Sequence, residues 1–260
     1  MDLQLARQVV VVTGAASGIG AAIARVLSAE GVGGLVLTDR NAPGLARLGS
    51  DLTTTTPVET ITADLSDPAA ASAIAAAASA RFGRIDGLVN AAGLTTRGSF
   101  ETGTVEIWDE LFDVNARAGF LLMQAAIADM RRRGAPGAIV NILSMNAYCG
   151  LPELAIYSAT KAAMATLTRN AAHAHMADRI RVTGINLGWV ATETEILKHA
   201  GMGHGPDWMA AAAAAEPLGR LVTAEECARL AAFLLSDASV PMTAASCPPA
   251  RSGIAADVPL

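Results

Sequence analysis

The segment Thr13-Gly-Ala-Ala-Ser-Gly-Ile-Gly20 decides the fold, because it joins a buried strand to a helix through three glycines. Before it, Gln8-Val-Val-Val-Val-Thr13 is a continuous β-branched run, typical of a strand that is buried on both faces. After it, residues 21–30 predict a helix. The first glycine permits a tight turn, the second lets a pyrophosphate approach the backbone, and the third lets the helix pack closely on the strand. The segment therefore predicts an anion site at a helix N-terminus.

Short apolar runs alternate with longer alanine-rich stretches on either side of this turn. Further strands are predicted at 34–38, 58–62, 87–90, 137–142 and 181–187, and helices at 104–133, 155–177 and 223–236. Asp67-Pro68 predicts another helix through residue 81, with Asp67 as N-cap and Pro68 as its first residue. Strands that alternate with helices form parallel βαβ units. We therefore predict one α/β domain over residues 1–260: a Rossmann-type, doubly wound parallel sheet with helices on both faces.

The composition excludes several classes of protein. Of 260 residues, 52% are hydrophobic and 17% are charged, which excludes a disordered chain. Lys and Arg number 19 against 24 Asp and Glu, so no nucleic-acid partner is expected. Apolar runs stay far below the roughly 20 residues that cross a bilayer, so no membrane partner is expected either. Three cysteines without a CxxC pair suit a reducing compartment, and we expect a cytoplasmic protein.

Two segments break the alternation of strands and helices. Residues 190–220 contain several glycines and follow the end of a predicted strand, where a long excursion is a candidate lid over a ligand crevice. Residues 240–260 form an atypical C-terminal tail that contains Pro248 and Pro249. Because proline cannot donate a ladder hydrogen bond, a central strand through these two residues is not expected.

Two acidic positions indicate which dinucleotide the glycine turn would serve. Asp39 ends the second predicted strand, 19 residues after Gly20. A carboxylate there accepts hydrogen bonds from the adenosine ribose and repels a 2′-phosphate, which favours NAD over NADP. The alternative is that Asp39 is only a turn or cap residue. Asp64 and Leu65 would meet the adenine ring, unless Asp64 instead caps the next segment.

Tyr157 and Lys161 stand four residues apart, so on a helix they share one face. A phenol has a pKa of about 10, and a neighbouring ammonium lowers that pKa by stabilising the phenolate. Ser144 ends a predicted strand thirteen residues before Tyr157, so both would lie at the sheet edge where ligands bind. The three residues predict a proton-transfer site. A structural i,i+4 contact is the alternative for the tyrosine–lysine pair.

The chain contains, in this order, TGAASGIG, Asn90-Ala-Ala-Gly93, Asn115, Ser144 and Tyr157-Ser-Ala-Thr-Lys161. With these residues it resembles the short-chain dehydrogenase/reductase family over about residues 5–240. The resemblance implies that Tyr157 exchanges a proton with the substrate oxygen, which Ser144 holds by a hydrogen bond. It also implies that Lys161 lowers the pKa of the tyrosine and binds the nicotinamide ribose, while Asn115 fixes a water that links Lys161 to solvent. Asn90, Ala91 and Gly93 would support the sheet and pack along the cofactor.

One motif departs from the family pattern. Asn186-Leu187-Gly188-Trp189 stands where the family has Asn-Pro-Gly. Gly188 still supplies the turn, Thr192 offers a hydroxyl to the nicotinamide carboxamide, and Trp189 would line the pocket or simply pack. Predicted cofactor contacts are Gly14, Ser17, Gly18, Ile19, Gly20, Asp39, Asp64, Leu65, Asn90, Ala91, Gly93, Tyr157, Lys161, Gly188 and Thr192. Predicted substrate contacts are Ser144, Asn146, Tyr157 and Trp189, and no metal site is predicted.

The resemblance implies hydride transfer between NAD(H) and a secondary alcohol, hemiacetal or ketone. The Asn-x-Gly-Trp variant is similar to that of some sugar-oxidising relatives and favours a sugar or polyol. The polar candidates to bind one are Thr95, Arg97, Asn146, Glu153 and Glu193. An apolar steroid, fatty or alicyclic substrate is the second interpretation, suggested by Met145, Leu154, Trp189 and Met202. A non-catalytic NAD-binding scaffold is the third. The family also implies a homo-oligomer, a dimer or a tetramer.

Overall fold

The computed structural model describes residues 3–148, 151–193, 195–196, 208–216, 218–244 and 246–247. Within these residues, seven strands form one parallel sheet in the order β3-β2-β1-β4-β5-β6-β9. Its strands are β1 (Val9–Thr13), β2 (Gly34–Asp39), β3 (Val58–Thr62), β4 (Gly87–Asn90), β5 (Gly137–Ser144), β6 (Ile180–Leu187) and β9 (Ser246–Cys247). The short strands β7 (Val190–Ala191) and β8 (Val222–Thr223) pair separately.

The valines of β1 show why the sheet is covered on both faces. Val10 and Val12 belong to one hydrophobic core, whereas Val9 and Val11 belong to the other. Successive side chains of a strand point to opposite faces, so each valine of the run is buried. The predicted doubly wound α/β sheet with two covered faces is confirmed.

Eight α-helices lie in the described part of the chain. They are α1 (Gly18–Ala29), α2 (Ala42–Leu52), α3 (Ala70–Phe82), α4 (Val105–Phe112), α5 (Ala118–Arg133), α6 (Ala155–Ala174), α7 (Trp208–Ala215) and α8 (Ala224–Leu235). Side chains of α1, α2 and α8 form the core with Val10 and Val12. Those of α3, α5 and α6 form the core with Val9 and Val11. Among the described residues, no helix has the length and apolar character needed to cross a membrane.

Two local predictions differ from the structure, and a third, that no central strand runs through Pro248 and Pro249, is not tested. The N-cap of α3 is Ala69, because Asp67 and Pro68 form a turn in which the Asp67 carboxylate accepts a hydrogen bond from the Ala69 N–H. The helix predicted over 104–133 is divided by a π-helical turn at Asp113–Arg117. The tail adds a strand, β9, beside β6; it ends before Pro248, and residues 248–260 lie outside the described part of the chain.

The strand order creates the crevice that holds the candidate site. The chain runs from β1 outward to β3 on one side and from β4 outward to β9 on the other. In open α/β sheets, ligands bind outside the carboxyl ends of the strands where the order reverses. Here that point lies between β1 and β4, next to the glycine turn after Thr13.

Candidate active site

A cleft of about 670 Å³ lies at the carboxyl edge of the sheet. It is lined by most of the predicted site residues: Gly14, Ser17, Gly18, Ile19, Gly20, Asp39, Asp64, Leu65, Ala91, Gly93, Ser144, Asn146, Tyr157, Lys161, Gly188, Trp189 and Thr192. The other two predicted residues, Asn90 and Asn115, line a smaller cavity of about 10 Å³, and Lys161 borders both spaces. The fold thus brings together residues that are far apart in sequence.

The glycine turn admits no larger side chain at its first and last glycines. Gly14 has a φ of +67°, and a Cβ there would lie 2.8 Å from the Cα of Ala92. A Cβ on Gly20 would collide with the carbonyl oxygen of Gly14. Ser17 is the N-cap of α1, and in the described residues neither its side chain nor an acidic residue of the first turn occupies the free N–H groups. This end of the cleft therefore fits an anionic group such as a pyrophosphate.

The Thr13 hydroxyl joins the glycine turn to the loop after β4. Its oxygen accepts hydrogen bonds from the N–H groups of Ala91 and Ala92, each at 3.0 Å. Sequence reasoning missed this residue, because a threonine at the end of a strand carries no distinctive pattern. The contact explains how two walls of the cleft keep a fixed separation.

Asp39 lines the adenosine end of the cleft and also holds the local backbone. One carboxylate oxygen accepts from the Ala16 N–H at 3.0 Å, and the other from the Asn41 N–H at 2.9 Å. Each oxygen has a second lone pair, so these contacts leave capacity for ribose hydroxyls. Both interpretations of Asp39, turn residue and ribose acceptor, are compatible with this geometry. Arg40 lines the same end and brings a positive charge.

Asp64 likewise lines the cleft while it caps the turn that follows it. Its carboxylate accepts hydrogen bonds from the N–H and the hydroxyl of Ser66, both at 2.9 Å, and these bonds lower the pKa of Asp64. The carboxylate is therefore ionised near neutral pH.

Tyr157 and Lys161 lie on the buried face of α6, as their spacing predicts. The Lys161 Nζ lies 5.8 Å from the centre of the Tyr157 ring and donates a hydrogen bond to the Ile142 carbonyl of β5 at 2.9 Å. Ser144, at the end of β5, lies close enough to the Tyr157 hydroxyl to lower the pKa of Tyr157. A strand end and the first turns of a helix therefore present two hydroxyls and an ammonium to one region of the cleft.

Burial governs the ionisation of this pair. It raises the pKa of Tyr157, and although the neighbouring Ser144 hydroxyl lowers that pKa, the nearby Glu195 carboxylate raises it further. Burial also lowers the pKa of Lys161 from 10.5 to about 8. Desolvation of the phenolate thus outweighs the favourable contact with Ser144. That Lys161 lowers the pKa of Tyr157 beside a bound nicotinamide stays a prediction.

Asn115 lies in the π-helical turn between α4 and α5, a type of distortion that often marks functional sites. Its amide exchanges two hydrogen bonds with the backbone of Leu94, at 2.8 and 2.9 Å, and donates a third to the Thr160 hydroxyl at 3.1 Å. The side chain thus ties the loop after β4 to α6, next to Lys161. That Asn115 fixes a water stays a prediction.

The rest of the cleft lining includes both apolar and polar side chains, among them Thr95, Arg97, Met145, Asn146, Leu151, Glu153, Leu154, Trp189, Glu195 and Glu216. Glu193 is exposed and does not belong to this lining, and Met202 lies outside the described residues. Sequence reasoning missed Glu195 and Glu216, which lie in the irregular segment after β6. The Trp189 ring packs against Trp208 of α7, with ring centres 5.6 Å apart.

A family model described as enoyl-(acyl carrier protein) reductase matches residues 14–248, and the match includes every predicted site residue. The chain belongs to the short-chain dehydrogenase/reductase family. Membership assigns the chain to a group of oxidoreductases that bind a nicotinamide cofactor. The cleft fits such a cofactor. The glycines of the turn carry no side chain, so a ligand can lie directly against its backbone.

Three similar members of this family differ in what their names give as substrate. 2-(S)-hydroxypropyl-CoM dehydrogenase 3 from Xanthobacter autotrophicus is 33% identical over 95% of this chain and 96% of its own length. Cis-4-hydroxycyclohexanecarboxylate dehydrogenase from Sinomonas cyclohexanicum is 35% identical over 92% of this chain and 93% of its own. The structure of L-sorbose reductase from Gluconobacter frateurii, complexed with NADPH and L-sorbose, has a TM-score of 0.91 and is 28% identical; the match covers 98% of this chain and 100% of that one.

Proposed function

We propose that this chain is an NAD-dependent dehydrogenase or reductase that interconverts a secondary alcohol or hemiacetal and the corresponding carbonyl compound. The observation that carries the proposal is the pair of hydroxyls on Ser144 and Tyr157, which line one cleft close enough for Ser144 to lower the pKa of Tyr157, with Lys161 buried beside them. The pair faces a cleft that is large enough for a dinucleotide and a small substrate. If Tyr157 and Lys161 formed only a structural i,i+4 contact, the Ser144 hydroxyl would not be needed next to Tyr157.

Ser144, Tyr157 and Lys161 each have a role in the oxidation of an alcohol. A bound nicotinamide supplies the acceptor for the hydride. The Ser144 hydroxyl donates a hydrogen bond to the substrate oxygen and holds it next to Tyr157. Tyr157 then accepts the alcohol proton as general base, and it returns a proton as general acid in the reduction. The positive charge of Lys161 favours the phenolate that this step requires.

The walls of the cleft keep these groups in position. Lys161 is fixed by its hydrogen bond to the Ile142 carbonyl, and Asn115 fixes α6 to the loop after β4. Tyr157 is 8% exposed and Lys161 is 6% exposed, so little water competes for the phenol oxygen. Such pre-positioned donors act on a reacting oxygen without reorganisation during the step.

NAD is the cofactor that the adenosine end favours. The Asp39 carboxylate lines this end and is anchored by the Ala16 N–H, so its negative charge cannot easily turn away from a 2′-phosphate. Arg40 is the group that opposes this preference. The NADPH in the L-sorbose reductase structure belongs to a relative that is 28% identical, and it does not decide the preference of this chain.

A sugar or polyol is the substrate class that we favour. Thr95, Asn146 and Glu153 bring hydrogen-bonding groups to the same cleft as Ser144 and Tyr157. An alicyclic alcohol is the second candidate, because Met145, Leu151, Leu154 and Trp189 line the same side. The name of the Sinomonas cyclohexanicum relative gives a ring of this kind as its substrate.

We also propose that the chain forms a homo-oligomer. Helices α4 and α5 expose large apolar side chains: Val105 is 70% exposed, Trp108 48% and Phe120 44%. Large apolar side chains that stay exposed on a folded chain favour association between copies of it. Sedimentation equilibrium of the purified protein measures the assembly, and a monomer at micromolar concentration would contradict it.

A substrate screen tests the proposed function. Purified protein is incubated with polyols, aldoses or alicyclic alcohols, each with NAD and with NADP, and reduced nicotinamide is followed by its fluorescence. Turnover of a polyol with NAD supports the proposal, and turnover of alicyclic alcohols alone would favour the second candidate. Tight binding of NADH without turnover of any alcohol or ketone would identify a scaffold instead.

A further inference from the structure

The turn after β3 forms part of the adenosine end of the cleft. Asp64 and Leu65 of this turn line the cleft, as does Asp39 at the end of β2. The two strand ends are connected, because the Ala63 N–H donates a hydrogen bond to the Asp39 carbonyl at 3.1 Å. A dinucleotide whose ribose binds at Asp39 would therefore bring its adenine to residues 64–67, which we call the adenine turn.

Ser66 is the residue through which the adenine turn is held. Its N–H and its hydroxyl both donate to the Asp64 carboxylate at 2.9 Å, and these bonds fix the local shape of the turn. Its carbonyl oxygen accepts a hydrogen bond from the Arg117 guanidinium, which lies 51 residues further along the chain. Hydrogen bonds from a charged donor are stronger than those between neutral groups. The bond from Arg117 therefore fixes the position of the turn relative to another element.

Arg117 is directed to this carbonyl by a neighbour on its own element. It forms an i,i+4 ion pair with Asp113, and the two residues are the ends of the π-helical turn between α4 and α5. The Nε atom of Arg117 is buried and has no hydrogen-bond partner among the described residues. An arginine that served only as a surface ion pair would keep this N–H in water, where it costs nothing. The arrangement favours a task for the guanidinium at Ser66.

The π-helical turn also reaches the other end of the cleft. Asn115 donates a hydrogen bond to the Thr160 hydroxyl of α6 at 3.1 Å, one residue before Lys161. Val114 borders both the cleft and the small cavity beside Lys161, and so does Leu65 of the adenine turn. One short distortion of the helix thus contacts the adenine turn on one side and the helix of the proton-transfer site on the other.

We propose that Arg117 is a positioning residue that holds the adenine turn where it receives the adenosine half of the cofactor. The proposal rests on the proposed function, which requires a dinucleotide in this cleft. Arg117 is not part of the described lining and acts through the Ser66 carbonyl. Without it the turn keeps its shape, because Ser66 still bonds to Asp64, but it is no longer fixed relative to the glycine turn. The loss should therefore fall on adenosine binding and not on the chemistry at the nicotinamide.

Three nucleotides locate the effect of Arg117→Met. NADH contains both halves of the cofactor, ADP-ribose lacks the nicotinamide, and reduced nicotinamide mononucleotide (NMNH) lacks the adenosine. We expect the dissociation constants of NADH and ADP-ribose to rise about threefold to tenfold, as for the loss of one hydrogen bond. The dissociation constant of NMNH should stay as in the wild type. Nucleotide fluorescence measures NADH and NMNH, and calorimetry measures ADP-ribose.

Three further variants separate positioning from support of the fold. Arg117→Lys keeps a charged donor and should restore part of the NADH affinity. Asp113→Asn leaves the guanidinium in place but removes its ion pair, so it should weaken NADH binding less than Arg117→Met does. Arg229→Met is the matched control, since Arg229 forms the same i,i+4 ion pair with Glu225 on α8, outside the described lining. An equal rise of the NMNH and NADH dissociation constants in Arg117→Met would show a merely structural role and overturn the proposal.

Turnover separates this inference from the proposed function. With a substrate in hand, Arg117→Met should raise KM for NAD and leave kcat close to that of the wild type. Turnover by the wild type together with unchanged NADH and ADP-ribose binding in Arg117→Met would overturn the inference and keep the proposed function. The expected binding pattern without turnover of any alcohol or ketone would keep the inference and refute the proposed function. Failure of the wild type to bind NADH would overturn both.

Discussion

The Nζ atom of Lys161 lies 5.8 Å from the centre of the Tyr157 ring. Burial raises the pKa of Tyr157 and lowers that of Lys161, so it favours the neutral form of both groups. The proposed chemistry uses the charged forms, a phenolate and an ammonium. The site is therefore electrostatically unfavourable in the folded chain, which is common where activity and stability compete. This conflict leads to the first two predictions.

Lys161→Met should reveal the cost of burying the ammonium. The pKa of Lys161 is about 8 in the folded chain, below the ordinary 10.5. Between these two values the unfolded chain binds more protons than the folded chain, so the stability of the wild type rises with pH across that window. Methionine carries no charge, so the wild type should gain about 2 kcal/mol relative to the variant between roughly pH 7.5 and 10. Urea unfolding at a series of pH values measures this gain. A difference in stability that does not change with pH would contradict it.

Glu195→Gln should move the pH dependence of alcohol oxidation. The wild-type rate should rise with pH, since deprotonation of Tyr157 provides the base. Because the Glu195 carboxylate raises the pKa of Tyr157, its removal should shift this rise to lower pH. Profiles of kcat/KM against pH check the direction, with Glu193→Gln as the matched control. A shift to higher pH would show that Glu195 acts on Tyr157 in another way.

Asp39→Asn should relax the choice of cofactor without loosening the glycine turn. The amide oxygen of asparagine can still accept the Ala16 N–H, which Asp39 Oδ2 accepts at 3.0 Å, while the negative charge is lost. The hydrogen bond from the Asn41 N–H to Asp39 Oδ1 is lost, because the amide NH2 takes that position and only donates. We expect tighter NADP binding and weaker NAD binding, because the repulsion of a 2′-phosphate disappears. Dissociation constants from nucleotide fluorescence measure both. Tighter binding of NADP than of NAD by the wild type would contradict the NAD assignment.

Asn141→Leu should destabilise the centre of the sheet. Asn141 of β5 accepts a hydrogen bond from Asn90 of β4 and donates one to Thr168 of α6, both at 2.8 Å, and it is fully buried. Leucine would leave the buried Asn90 amide without this partner and would remove the bond to Thr168, whose hydroxyl still donates to the Met164 carbonyl. We expect a cost of about 2–4 kcal/mol. Thr168→Val should cost less, and the double variant should lose less than the sum of the two. Additive losses in denaturant unfolding would show that the residues do not form one network.

The sheet was predictable because its strands carry strong local signals. The valines of β1 and the glycines after Thr13 predict a buried strand and a tight turn without knowledge of the rest of the chain. The π-helical turn at Asn115 was not predictable, because it depends on tertiary contacts. The side-chain amide of Asn115 forms hydrogen bonds with Leu94 and Thr160, which belong to other elements. Short strands such as β9 depend on a neighbouring strand and carry no pattern of their own.

The candidate site, like the fold, was predictable from the sequence only in part. The position of Tyr157, Lys161 and Ser144 followed from helix spacing and a strand end. Their pKa shifts did not, because desolvation depends on everything that surrounds a group, whereas the sequence shows only one neighbouring charge. Glu195 and Glu216 were missed since they lie in an irregular segment, where spacing does not predict which side chains face the cleft.

The most direct test of the central claim, that Tyr157 transfers the proton, compares the wild type with Tyr157→Phe. Reduced nicotinamide is followed during oxidation of the best alcohol, and NADH affinity and thermal unfolding show that the variant is intact. We expect kcat to fall at least about a hundredfold with little change in NADH affinity, as for the loss of a general base. A folded Tyr157→Phe protein that binds NADH and keeps a rate close to that of the wild type would contradict the account.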